Sequence, residues 1–165
     1  MERDGDLPRI AVFGAGHVGP VIARVAVDAS YDVTIAASAE PERIALITEL
    51  LIPGAEPRWA ADAAAEADVV VLSIPIHKFA AFDPALVAGK VVVDAMNYWP
   101  PVDGVQELFE GRRYGSSEIV QQHLDRSMVV KTSTRSATTT WKINADLRAR
   151  LNAGRSASRA TTQAR

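Results

Sequence analysis

The segment Ile10 to Gly19, I-A-V-F-G-A-G-H-V-G, constrains the fold more than any other stretch of the chain. An apolar run over 10–13 enters a loop with glycines at 14, 16 and 19. Apolar residues at helical spacing follow at Val18, Val21, Ile22, Val25 and Ala26. A strand, then G-x-G-x-x-G, then a helix is the arrangement that cradles a dinucleotide pyrophosphate. Gly14 admits the tight turn. Gly16 lets the main chain approach phosphate oxygens with no side chain between them, and Gly19 lets the helix lie close on the strand. With Ala15, His17 and Val18 they make the expected phosphate loop, and the first helical turn presents free N–H groups and a partial positive charge.

The remainder alternates strand and helix. Tyr31 to Ala37 reads as a second strand from its β-branched residues. Pro41 suits a first helical turn, and residues 44, 47, 48 and 51 recur at helical spacing until Pro53 and Gly54 stop them. A short third strand is predicted near Arg58 to Ala60, then an alanine-rich helix capped by Asp62 and ending near Ala67. Residues 68–75 and 90–94 are apolar on both faces, as central parallel strands covered by helices on each side must be. Ser116 and Ser117 are expected to cap a helix through Leu124, and Ser127 to Lys131 reads as the sixth strand. The class is α/β: a doubly wound parallel sheet of about six strands in the order 3-2-1-4-5-6, with right-handed crossovers. The expected organisation is a flexible N-terminus over 1–8, one dinucleotide-binding domain over 9–131 and a tail of low structure over 132–165.

Composition narrows the function. With no cysteine in 165 residues, thiolate metal sites, disulfides and a cysteine nucleophile are excluded. Three scattered histidines argue against a metal centre. No apolar run approaches the ~20 residues of a membrane span, and the polar N-terminus is not a signal peptide, so no membrane partner and a cytoplasmic location are expected. Charge is uneven: residues 1–130 carry 10 Lys/Arg against 19 Asp/Glu, whereas residues 131–165 carry 8 against 1.

An NAD-selective site usually ends its second strand on Asp or Glu, which bonds the ribose hydroxyls. Here that end reads Ile35-Ala36-Ala37-Ser38, with no carboxylate until Glu40. A 2′-phosphate is therefore not repelled there. Ser38 can donate a hydrogen bond, and Arg43, one turn into the next helix, offers a fork of donors suited to phosphate or is a solvated surface charge. The reading is a preference for NADP.

The glycine loop together with V-V-V-L-S-I-P at 69–75, G-K-V-V-V-D-A-M-N-Y-W at 89–99 and S-S-E-I-V-Q at 116–121 resembles the NADPH-dependent reductases of the deazaflavin coenzyme F420, across residues 9–131. The resemblance implies hydride exchange between NADPH and the deazaflavin. It further implies that Gly14, Gly16, His17, Val18 and Gly19 form the phosphate loop and that Ser38 meets the 2′-phosphate. The family's following arginine is Ala39 here, with Arg43 in a position to substitute. Ser73, Ile74 and Pro75 would lie beside the ribose and nicotinamide, with Met96 and Asn97 at the matching end of the fifth strand. A reductase of another acceptor (flavin, ferric ion or imine) and a nucleotide-binding fragment without turnover are the alternatives, since one such domain serves many chemistries.

Hydride transfer needs alignment more than acid–base groups, so no catalytic residue is assigned. His77 follows the fourth strand and is either a catalytic candidate or a polar loop residue; His123 is expected to be exposed on its helix. Tyr98, Trp99, Pro100 and Pro101 form either an aromatic wall for a flat cofactor or a rigid loop packed on the sheet. After Lys131 the chain turns rich in Thr, Ser, Ala and Arg, a composition that buries little surface. Codons for Thr132 to Asn144 can be chosen so that one restored nucleotide yields T-L-N-Q-I-G-Y-H-H-L-E-D, close to the segment with which the resembled family continues. The tail is thus expected to be out of frame, and its basic charge is not taken as a nucleic-acid site. Small-molecule cofactors are the expected partners, with a homodimer conditional on the segment that the tail would replace.

Overall fold

The computed structural model describes residues 7–110 and 115–132. The elements run β1 (Ile10–Phe13), α1 (Gly19–Asp28), β2 (Val33–Ala36), α2 (Glu42–Leu51), β3 (Glu56–Pro57), α3 (Ala60–Glu66), β4 (Val69–Leu72), β5 (Val91–Asp94), α4 (Pro100–Asp103), α5 (Ser116–His123) and β6 (Met128–Lys131). Two 3-10 turns, Ile76–Ala81 and Pro84–Val87, lie between β4 and β5. The strands form one parallel sheet in the order β3-β2-β1-β4-β5-β6, the expected doubly wound topology. Ile10 stands between Val33 and Val69, and Phe13 between Ala36 and Leu72, so β1 is the centre of the register.

Both faces of the central strands are buried, which is why their sequences are continuous apolar runs. One face carries Val12, Ile35, Val71 and Val93 against Ala23, Ala26 and Ile44 of α1 and α2. The other carries Ala11, Phe13, Val70, Leu72 and Val92 against α3, the 3-10 turns and α5 through Ala63, Ala64, Phe79, Val87, Val120 and Leu124.

Several local expectations are corrected. On α1, Gly19, Pro20, Ala23 and Ala26 are buried, whereas Val18 and Val21 are exposed. The helix lies so near the sheet that its packing stripe is built of small residues, and the larger valines turn outward. On α2, Ile44 and Thr48 are buried while Ile47 and Leu51 are exposed; the two-residue β3 at the sheet edge offers too little surface to cover a wider stripe. That strand is Glu56–Pro57 rather than 58–60, paired with Thr34 and Ile35. The turn at Gly54, with φ of 102°, reverses the chain at once, and an alanine run draws α3 forward to Ala60. Asp62 therefore sits in the first turn of α3 and Trp59 takes the capping position. Ser116 and Ser117 are likewise inside α5, where Gly115 is the N-cap and its N–H donates to the Glu118 carboxylate at 2.6 Å. Residues 133–165 of the expected tail lie outside the described residues. Among the described residues, no helix is long and apolar enough to cross a membrane.

Candidate functional site

In a doubly wound sheet a ligand lies across the carboxyl ends of the strands, at the point where strand order reverses. Here that point is between β1 and β4. The rim is laced by main-chain hydrogen bonds that step from strand to strand. The Gly14 N–H donates to Ala36 O at 2.8 Å, Ser73 N–H to Phe13 O at 2.8 Å, Ala95 N–H to Leu72 O at 2.9 Å and Thr132 N–H to Asp94 O at 3.0 Å. Five strand ends thus form one continuous edge.

The glycines behave as three different devices. Gly14 has φ of 116°, and a Cβ there would stand 2.5 Å from Ser73 O. A Cβ on Gly19 would stand 1.8 Å from Gly14 O. Around a Cβ on Gly16 there is nothing within 4 Å among the described residues, its chain neighbours aside. The first two positions exclude a side chain because of the protein itself. Gly16 faces open space, as a residue beneath a ligand must. The N–H groups of Gly16, His17 and Val18 donate to no protein acceptor among the described residues, and all three residues are exposed ahead of α1. The α1 N-terminus adds its partial positive charge at the same place. Ala15 is half-buried and packs on the α1 face of the core.

Ser73 sits one residue past β4. Its hydroxyl donates to Phe13 O at 2.9 Å and to Gly14 O at 3.3 Å, so it braces the loop from beneath. Ile74 is half-buried and Pro75 exposed beside it. Ser38 is exposed two residues past β2. Arg43 is exposed on the first turn of α2, where its Nε pairs with Glu40 Oε2 at 3.0 Å. Of the pair at the end of β5, Asn97 is exposed and Met96 is not: the Met96 side chain is buried in the core, and its main-chain N–H and C=O are both taken internally. Met96 shapes the crevice rather than offering a side chain to it.

The remaining sequence candidates divide. His77 is exposed on the 3-10 turn after β4. His123 is half-buried rather than exposed: its ring meets Phe79 edge-on at 4.9 Å between centroids, and Nε2 lies 2.9 Å from Phe82 O. Tyr98 packs on Phe109 with centroids 5.3 Å apart and donates to Glu110 at 2.5 Å, while Trp99 is exposed. Sequence reasoning missed a cluster at the crevice floor. Asp94, 1% exposed, accepts from Met96 N–H at 3.0 Å, from Ser117 Oγ at 3.0 Å and from Lys131 Nζ at 3.3 Å. The available signal was a carboxylate closing an otherwise all-valine strand, since a buried charge requires partners.

Comparison with known proteins agrees with this fold. A structure of a candidate F420-dependent NADP reductase from Arthrobacter sp. FB24 superimposes with a TM-score of 0.64 at 28% identity, over 80% of this chain and 65% of that one. A hypothetical protein from Sinorhizobium meliloti gives a TM-score of 0.65 at 27% identity, over 86% of this chain and 69% of that one. The 3-hydroxyisobutyrate dehydrogenase of Mycobacterium tuberculosis, at 18% identity and a TM-score of 0.53 over 76% of this chain and 40% of that one, shares the fold. The chain spans just under two thirds of the length of the Arthrobacter protein. No protein of curated function matches it by sequence. The family model described as NADP oxidoreductase, coenzyme F420-dependent, matches residues 9–98, more than half of the chain, and the chain belongs to that family.

Proposed function

We propose that the chain binds NADPH along the β1–β4 crevice and passes a hydride between it and a deazaflavin coenzyme. The observation that carries the reading is the contrast within the glycine loop. Gly14 and Gly19 are closed off by protein atoms, whereas Gly16 opens onto free space beside N–H groups that have no protein acceptor among the described residues. That arrangement fits a diphosphate. The adenosine half would lie over β2, with Ser38 and Arg43 toward the 2′-phosphate and no carboxylate at the strand end to repel it. The other half would lie over β4 and β5, at Ile74, Pro75 and Asn97.

When bound, NADPH would supply a hydride to the deazaflavin, and a proton from solvent would complete the reduction. The residues of this chain have the task of alignment. The loop amides neutralise the diphosphate and Ser73 keeps those amides in place. Ile74, packed on the core that holds Met96, would give the nicotinamide end an apolar surface. Alignment of the two rings would supply the rate through proximity and orientation, and no catalytic residue is assigned.

The test is an acceptor screen. NADPH oxidation is followed at its absorbance band with the deazaflavin, a flavin, ferric ion and a cyclic imine, beside an NADPH binding titration. Turnover with the deazaflavin alone is expected. Turnover with a different acceptor moves the chain to another reductase activity. Tight binding with no turnover assigns it nucleotide binding only, and absence of binding overturns the reading altogether.

A further inference from the structure

Among the described residues, the buried polar or charged side chains are Thr48 and Asp94, and Asp94 is the one that carries charge. A carboxylate so far from water is expensive unless it is paired and hydrogen-bonded. Asp94 is both. One oxygen, Oδ1, accepts from the main-chain N–H of Met96; the other, Oδ2, accepts from Ser117 Oγ and from Lys131 Nζ. The Lys131 ammonium also donates to the carbonyl of Met96. Met96 is therefore gripped at both of its main-chain polar groups, by an acid from β5 and a base from β6. The peptide held this way leads directly into Asn97, at the carboxyl end of β5.

A core polar group could be satisfied anywhere along the sheet. This one stands at the carboxyl end of β5, where its bonds fix the main chain of Met96 as it leaves the strand. We propose that Asp94 is a positioning residue for the nicotinamide end of the bound dinucleotide, with Ser117 and Lys131 orienting its carboxylate. The inference rests on the NADPH reading above. It assigns a function to Ser117 of α5 and Lys131 of β6, which both meet the carboxylate at the end of β5. The phosphate loop, by contrast, is braced by Ser73 and follows β1, which two strands separate from β6 in the sheet. The two ends of the ligand should respond separately.

That separation provides the test. Binding of NADPH and of 2′-phospho-ADP-ribose, which lacks the nicotinamide, is titrated against the full-length chain and its D94N, S117A and S117T variants. Loss of one charge-assisted bond at the positioning carboxylate is expected to weaken NADPH about tenfold in D94N and in S117A. The truncated ligand should stay within about twofold in both, because its contacts are at the glycine loop. S117T keeps the hydroxyl and should restore the ratio of the two affinities. A merely structural cluster would weaken both ligands in parallel, and that result, or unchanged NADPH binding, overturns the inference. If D94N does not fold, S117A and S117T carry the comparison. If the unaltered chain binds neither ligand, the dinucleotide reading itself fails and takes this inference with it; binding of both by the unaltered chain isolates any later failure to Asp94.

Discussion

The carbonyl oxygen of Gly14 lies 1.8 Å from where a Cβ on Gly19 would be. No side-chain rearrangement relieves such a contact, because the obstructing atom belongs to the main chain of the phosphate loop and Ser73 Oγ closes the space at 2.7 Å. Helix and loop meet at this point. G19A should therefore separate α1 from β1 and act first on stability. A cost of about 2 kcal/mol or more, read as a melting temperature lower by roughly 5 °C or more, is expected from overpacking of this kind. An unchanged melting temperature would mean that the helix does not approach the loop as described.

Gly16 predicts the opposite behaviour. A Cβ there meets no atom of the described residues within 4 Å, its chain neighbours aside, and φ lies outside the left-handed region. G16A should fold as the parent does, within about 0.5 kcal/mol, as substitutions away from packed sites do. It should still weaken NADPH by about tenfold or more, because the added methyl group stands between phosphate and amide. Thermal unfolding with and without NADPH reads both numbers in one experiment: the unliganded melting temperature stays, and the ligand-induced rise shrinks.

The strand order was legible in the sequence because two constraints act on the same residues. Parallel central strands must be apolar on both faces, so V-V-V-L at 69–72 and V-V-V-D at 91–94 admit few other readings. The phosphate loop was legible because its glycines are needed locally. What a local pattern could not show was depth. Apolar spacing on α1 pointed to the valines, yet the burying stripe is Gly19, Ala23 and Ala26, since proximity to the sheet selects for small size. Nor could spacing reveal the Asp94 cluster. Its partners Ser117 and Lys131 lie 23 and 37 positions away and meet it only once the fifth and sixth strands are adjacent. His123 was misjudged for the same reason: Phe79 and Phe82, which receive its ring, come from the far side of β5 in the chain.

On the NADPH reading proposed above, Glu40 and Arg43 would make cofactor preference adjustable. Their ion pair, 3.0 Å from Nε to Oε2, is exposed on both sides and one turn long. Such pairs contribute only about 0–1 kcal/mol and weaken with salt. A 2′-phosphate can therefore compete for the guanidinium, at a small penalty set by Glu40. E40Q should tighten NADPH by about threefold and leave NADH unchanged, since the arginine is released and one like-signed charge is removed. R43A should weaken NADPH by about tenfold, again sparing NADH, if its fork is the one that receives the phosphate. Equal responses of the two cofactors in either variant would place Arg43 outside the subsite.

Tyr98 gives the loop beyond the crevice a dependence on alkaline pH. Its hydroxyl donates to Glu110 at 2.5 Å and accepts from Gln106 N–H at 3.1 Å, while its ring packs on Phe109. The bond to the Glu110 carboxylate raises the phenol above its ordinary value of 10.0; the Gln106 N–H opposes this by favouring the phenolate, and desolvation and the negative charges of Glu110 and Asp103 reinforce the rise. A group whose value is raised on folding binds its proton more tightly in the native chain. Its contribution to stability is thus complete below the unfolded value and is lost as pH climbs through the native one. The phenolate absorbance of the native chain minus that of Y98F isolates this residue from the other tyrosines. It should titrate above the same difference measured in denaturant, and E110Q should lower it toward the ordinary value. A native titration at or below the denatured one would show that Tyr98 does not hold Glu110.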